Sequence, residues 1–195
     1  MRYLLFTLSL AWLPLAFGQS HQHDEQHDSL GAHEHGVAQL DVALEGRYLE
    51  LELHSPALNL LGFEHAPRGS AEWARVEAVR AVLEQPGSLF GLAAAAQCSV
   101  TRQAVNSPMF SAADGDSDHL ALHDEEPDAA GQTAEQHSEF HALYQLQCAR
   151  PGAVRLDLSS LFRRYPGMRS IQVQLIGPKG QHARSLNSSQ PLLEL

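Results

Sequence analysis

Imidazoles and carboxylates crowd into one stretch near the start of the chain, where His21, His23, His27, His33 and His35 are interleaved with Asp24, Glu25, Asp28 and Glu34 and almost nothing apolar. Neutral imidazole is a ligand for borderline cations such as zinc, copper and nickel, and a chain carrying several can gather them on one ion. The plain alternative is an appended tag or a solvated linker. A second group of donors follows at Glu52 and His54, and a third is formed by His119 and His123 and by His137 and His141, each pair spaced His-x3-His. Residues four apart lie on one side of a helix or a strand, so each pair can face one ion.

Neither pair is His-Glu-x-x-His, so the motif that couples zinc to a glutamate base in proteases is missing. Asp114, Asp116, Asp118 and Glu125 fall at positions one, three, five and twelve of a calcium loop. Position six is His119, where the sharp turn requires glycine, and no helices flank the segment, so Zn2+, with Cu2+ or Ni2+ as alternatives, suits these donors better than Ca2+. No glycine-rich phosphate loop, Gly-x-Ser-x-Gly elbow or Ser/His/Asp set is present, and nothing argues for catalysis. His65 and His182 stand apart from the clusters, with Glu64 and His65 a lesser candidate pair.

The compartment follows from the first residues and the cysteines. Arg2 precedes the apolar run Tyr3–Phe17, which ends in small residues at Gly18 before Gln19. The run is shorter than the roughly 20 residues that span a bilayer and contains Pro14, so residues 1–18 read as a secretory signal peptide cleaved near Gly18-Gln19, with no stable membrane anchor. Cys98 and Cys148 are the two cysteines, and neither belongs to a CxxC motif. In an oxidising compartment they read as one disulfide. Thirteen basic residues against 23 acidic ones give a net charge of −10, which excludes nucleic acid as a partner and concentrates cations at the surface.

The elements that must position the donors begin at Gly36. Ala38, Leu40, Val42 and Leu44 alternate with polar or small residues, as do Leu49, Leu51 and Leu53 after Glu45-Gly46, which reads as a half-buried β-hairpin. With Glu45-Gly46 as the turn, Val37 lies opposite His54, Gln39 opposite Glu52 and Asp41 opposite Glu50. That register brings His35 diagonal to His54 and assembles His33, His35, His54 and Glu52 into a candidate metal site.

Residues 55–67 read as a buried connection, and a helix capped by Ser70 runs to about Leu83 with Trp73, Val76, Val79 and Leu83 inward. Cys98 to Val105 is a strand, residues 106–137 a long polar insertion, and Glu139 to Cys148 a strand that returns beside it, the disulfide clamping the base of the pair. An extended piece at Val154 to Leu158, a helix from Ser159 to Arg164, strands around Ile171 to Leu175 and Gln181 to Leu186, and the tail from Pro191 complete the chain. The organisation is therefore a signal peptide at 1–18, a flexible His-rich arm at 19–32, and a single α+β domain at 33–195 of antiparallel β-hairpins packed with one main helix and short helices.

Three stretches carry a family resemblance: His33 to Gly46, Leu51 to Pro67, and Phe162-Arg-Arg-Tyr-Pro-Gly167. With the paired cysteines and the His/acid-rich insertion, they resemble the ZrgA-like zinc-regulated periplasmic proteins of Gram-negative bacteria over essentially the whole mature chain. The resemblance implies a periplasmic zinc-binding protein that supports zinc acquisition without catalysing a reaction, with a zinc uptake transporter or its periplasmic binding protein as the partner. The insertion is sparser in histidine than is usual in that family, so the implied metal role falls more directly on His33 and His35. A secreted interaction module with incidental histidines and a zinc hydrolase are the alternative classes.

Overall fold

The computed structural model describes residues 34–111 and 138–195. Strand β1 (Val37–Glu45) and strand β2 (Tyr48–Pro56) form the expected hairpin, with Ala38, Leu40, Val42, Leu44, Leu49, Leu51 and Leu53 all buried. The turn, however, is Gly46-Arg47, and the register pairs Glu45 with Tyr48, Asp41 with Glu52 and Gln39 with His54. A two-residue hairpin turn of the favoured kind needs positive φ at its first central position. Gly46 supplies it at φ 57°, whereas Glu45 would be strained there. The resulting displacement of two residues keeps every side chain on its expected face, because strands repeat every two residues, but changes each polar residue's neighbour across the ladder.

After β2, where the sequence suggested a buried connection, the chain forms helix α1 (Ala57–Leu61), with Ala57, Asn59, Leu60 and Leu61 buried. Gly62 closes it in the left-handed conformation, its N–H donating to the Leu58 carbonyl. The main helix, α2 (Gly69–Leu83), buries Val76, Val79 and Leu83, while Trp73 is only partly covered. It begins without a Ser70 side-chain cap; instead the Glu72 carboxylate accepts the Arg68 N–H at 2.6 Å. A single turn α3 (Pro86–Leu89), strand β3 (Cys98–Asn106) and a turn α4 (Pro108–Ser111) follow. Strand β4 (Glu139–Cys148) returns beside β3, and Cys98 and Cys148, register partners, are joined in a disulfide.

Strand β5 (Arg155–Asp157), helix α5 (Ser159–Arg164), strand β6 (Ser170–Gly177), strand β7 (Gly180–Asn187) and strand β8 (Leu192–Glu194) complete the order. The six-stranded sheet runs β3-β4-β2-β1-β6-β7, and β5 pairs with β8 in a small second sheet. β6 lies parallel to β1, so the main sheet is mixed and the fold is α+β, with a parallel pair inside a set of antiparallel hairpins.

One face of this sheet is the core. Tyr144 of β4 is fully buried, donates to the Leu83 carbonyl at the end of α2 at 2.6 Å and meets Phe90 edge-on. Burial pushes its hydroxyl pKa up. The other face presents Gln39, Asp41, Glu50, Gln172 and Gln174 to solvent, with Glu52, His54 and His141 half-buried. The chain enters the sheet through Asn59, itself buried: its Oδ1 accepts the Gly36 N–H at 2.7 Å and its Nδ2 donates to the Val37 carbonyl at 2.9 Å. Gly36 has φ 89°, and a Cβ there would sit 2.2 Å from the Arg169 Nε.

Candidate metal centre

Apolar alternation fixes which side chains reach the open face. Leu51 and Leu53 of β2, and Phe140, Ala142 and Tyr144 of β4, turn inward. Glu52, His54, Glu139 and His141 must therefore turn outward. β2 and β4 are antiparallel neighbours with His54 directly opposite His141. The two imidazoles stack, their centroids 4.3 Å apart and their planes 16° from parallel. Glu52, one position along the same face of β2, is diagonal to His141. Its Oε1 lies 2.7 Å from the His141 Nε2 and 3.3 Å from the His54 Nε2.

The hydrogen bond from His141 is the main reason that the Glu52 carboxyl is held below the usual carboxylate range, with the His54 hydrogen bond and the charge interactions of both rings adding to it against the cost of burial. An ionised carboxylate and two imidazole nitrogens thus converge, one ligand atom from each lying within 4.8 Å of the others. Tetrahedral zinc with bonds of about 2.0–2.1 Å separates its donor atoms by roughly 3.3 Å, against 2.7 and 3.3 Å from the Glu52 Oε1 to the Nε2 atoms of His141 and His54. A cation entering here would replace the protons on the two Nε2 atoms. Three protein donors leave a fourth position for water or for a donor from another molecule. The side chains of Glu52, His54 and His141 are 34, 32 and 40% exposed, so the site opens to solvent.

The remaining donors fall elsewhere. His35 stands just before β1 and its Nε2 is 3.2 Å from the Glu64 carboxylate, away from Glu52 and His54, since His54 pairs with Gln39 in the observed register. The expected diagonal contact between His35 and His54 is therefore not made: the turn begins at Gly46 and carries β2 two residues along β1. His65 stacks on Phe63 and lies 3.9 Å from Glu72. His182 on β7 faces the Lys179 carbonyl at 3.2 Å. His21, His23, His27 and His33, and in the insertion His119, His123 and His137, lie outside the described residues, as do residues 1–18, expected as a signal peptide, residues 19–32, expected as an arm, and residues 112–137 of the insertion.

Sequence reading did not single out Glu139. It lies two residues before His141 on the same face of β4, and its Oε1 is 3.8 Å from the His54 Nδ1. Its shared strand parity with His141 was visible in the sequence, but the adjacency of β2 and β4, which brings it to His54, was not.

Fold and donors together describe an α+β domain with a candidate metal-binding group on the open face of its sheet. The chain belongs to the ZrgA family: the model of that family, described as a zinc uptake protein, matches residues 32–195 and so spans every described residue. That membership gives the protein a role connected with zinc. No curated protein matches the chain.

Proposed function

We propose that this protein is a periplasmic zinc-binding protein that captures Zn2+ at Glu52, His54 and His141 and supports zinc uptake, without performing chemistry on a substrate. The observation that carries the reading is the convergence of one carboxylate and two stacked imidazoles from neighbouring strands. A His2Glu set favours zinc-type cations over calcium and magnesium, which prefer all-oxygen sites. Partial exposure and an open coordination position favour exchange over permanent retention, as suits a carrier that gives its cargo to an uptake transporter or that transporter's binding protein.

Export is supported by the Cys98–Cys148 disulfide and by the apolar segment at 1–18; no helix among the described residues is long and apolar enough to cross a membrane. In this reading His21, His23, His27, His33 and His35, with His119, His123 and His137, raise the number of ions that can be collected around the sheet site. Equilibrium dialysis of the protein against zinc, copper and nickel in parallel tests the function. Zinc retained at micromolar concentration is expected, and no retention of any of the three would overturn it.

A further inference from the structure

We propose that Glu139 is the positioning residue of the zinc site, accepting the Nδ1–H of His54 and thereby turning the lone pair of the His54 Nε2 towards the metal. The inference rests on the reading of Glu52, His54 and His141 as ligands. It starts from the two ends of one ring: the His54 Nε2 faces the Glu52 Oε1 at 3.3 Å, and the His54 Nδ1 faces the Glu139 Oε1 at 3.8 Å. The imidazole thus lies between two carboxylates from adjacent strands, one facing each nitrogen.

The two carboxylates cannot play the same part. Glu52 shares its Oε1 with both histidines and belongs to the set of donors that can meet on one ion; Glu139 is outside that set. In the metal-free protein the His54 Nε2 has an acceptor in Glu52, so a neutral ring can carry its proton there. When the Nε2 becomes a ligand, that proton must leave it, and a neutral ring then carries its one proton on Nδ1. Glu139 is the group positioned to accept it, after a closure of about 1 Å to hydrogen-bond range. A ligating histidine whose other nitrogen donates to a carboxylate is fixed in tautomer and ring orientation, and its donor strength rises.

Placement reinforces the chemistry. Glu139 is paired with Pro56 at the start of β4 while His54 is paired with His141, so Glu139 is the diagonal neighbour of His54 on a hydrogen-bonded ladder. Diagonal neighbours on one face are within reach of long side chains. The Glu139 side chain is 29% exposed, close to the 32% of His54, so the contact is shielded to the same degree as the ligand it supports.

Zinc affinity, measured by competition with a chromophoric chelator, and the His54 ring nitrogens, followed by long-range proton–nitrogen NMR, test this on the full chain. E139A is expected to weaken zinc binding by about 10- to 100-fold and to reduce the Nδ1–H tautomer of His54 in the zinc-loaded protein. E139Q, whose amide oxygen still accepts a hydrogen bond, is expected to restore most of both, and the far-UV spectrum of each variant to match the unaltered protein. Unchanged affinity and unchanged His54 nitrogen shifts in E139A, with H54A still impaired, would overturn the role of Glu139 and leave the site standing. Equal losses in E139Q and E139A would also overturn it, since they would make the charge, and not the accepted hydrogen bond, the contribution. Should H54A bind zinc as tightly as the unaltered protein, the reading of the site itself fails.

Discussion

His54 and His141 occupy paired positions on β2 and β4, and their rings stack with centroids 4.3 Å apart while both Nε2 atoms approach the same oxygen of Glu52. The arrangement joins two residues of one strand, Glu52 and His54, to His141, which is 89 residues from Glu52 in the chain and adjacent in the sheet. Without metal, each Nε2 can donate to Glu52. The same atoms become ligands once those protons are displaced.

The depressed pKa of Glu52 carries a pH dependence. A carboxyl whose folded pKa lies below its unfolded value stabilises the fold above the unfolded value, and that stability drains away as the pH falls from there through the folded pKa. For Glu52 the loss begins near its ordinary value of 4.5 and continues below it. Thermal melts of the metal-free protein across this range should show a steeper acid decline than E52Q; identical acid limbs would contradict the hydrogen bonds assigned to Glu52.

The disulfide joins strands on either side of the insertion, its cysteines separated by 50 positions in sequence. The chain-entropy model gives about 4 kcal/mol for closing such a loop. Denaturant unfolding of C98A/C148A against the oxidised protein is expected to show a loss approaching that figure, with β3 and β4, which share the ladder, the first elements to lose amide protection.

Asn59 is the buried polar side chain that fastens the entrance of β1. Replacing it with Ala leaves the Gly36 N–H and the Val37 carbonyl without those partners, and a buried unsatisfied group costs about 1–3 kcal/mol. N59A should unfold at lower denaturant with an unchanged slope. Because His54 and His141 are held by β2 and β4, zinc affinity at 20 °C should change far less than stability.

Much of this architecture was legible in the sequence. The alternation of Leu49, Leu51 and Leu53 and of Phe140, Ala142 and Tyr144 gave the strands and their buried faces, and Pro166-Gly167 marked the end of α5. Cys98 and Cys148 announced the pairing of β3 with β4. Individual donors were legible too, since Glu52, His54 and His141 stand at polar positions of apolar strands. Their assembly was not. The spacing of His137 and His141 pointed towards the insertion, and the positions of His35 and His54 pointed towards the hairpin mouth; the contact that counts is long-range, between β2 and β4, and periodicity within one strand carries no information about its neighbours. The register depended on one turn residue, Gly46, whose freedom at positive φ outweighed the symmetric placement of Glu45-Gly46.

Calorimetric titration of zinc into the unaltered protein and into E52Q/H54A/H141A tests the central claim most directly. The account predicts that the triple variant keeps its far-UV spectrum and loses the tightest zinc equivalent, while weaker binding by the remaining histidines persists. Equal stoichiometry and equal affinity in the two proteins would contradict it and move zinc capture away from the open face of the sheet.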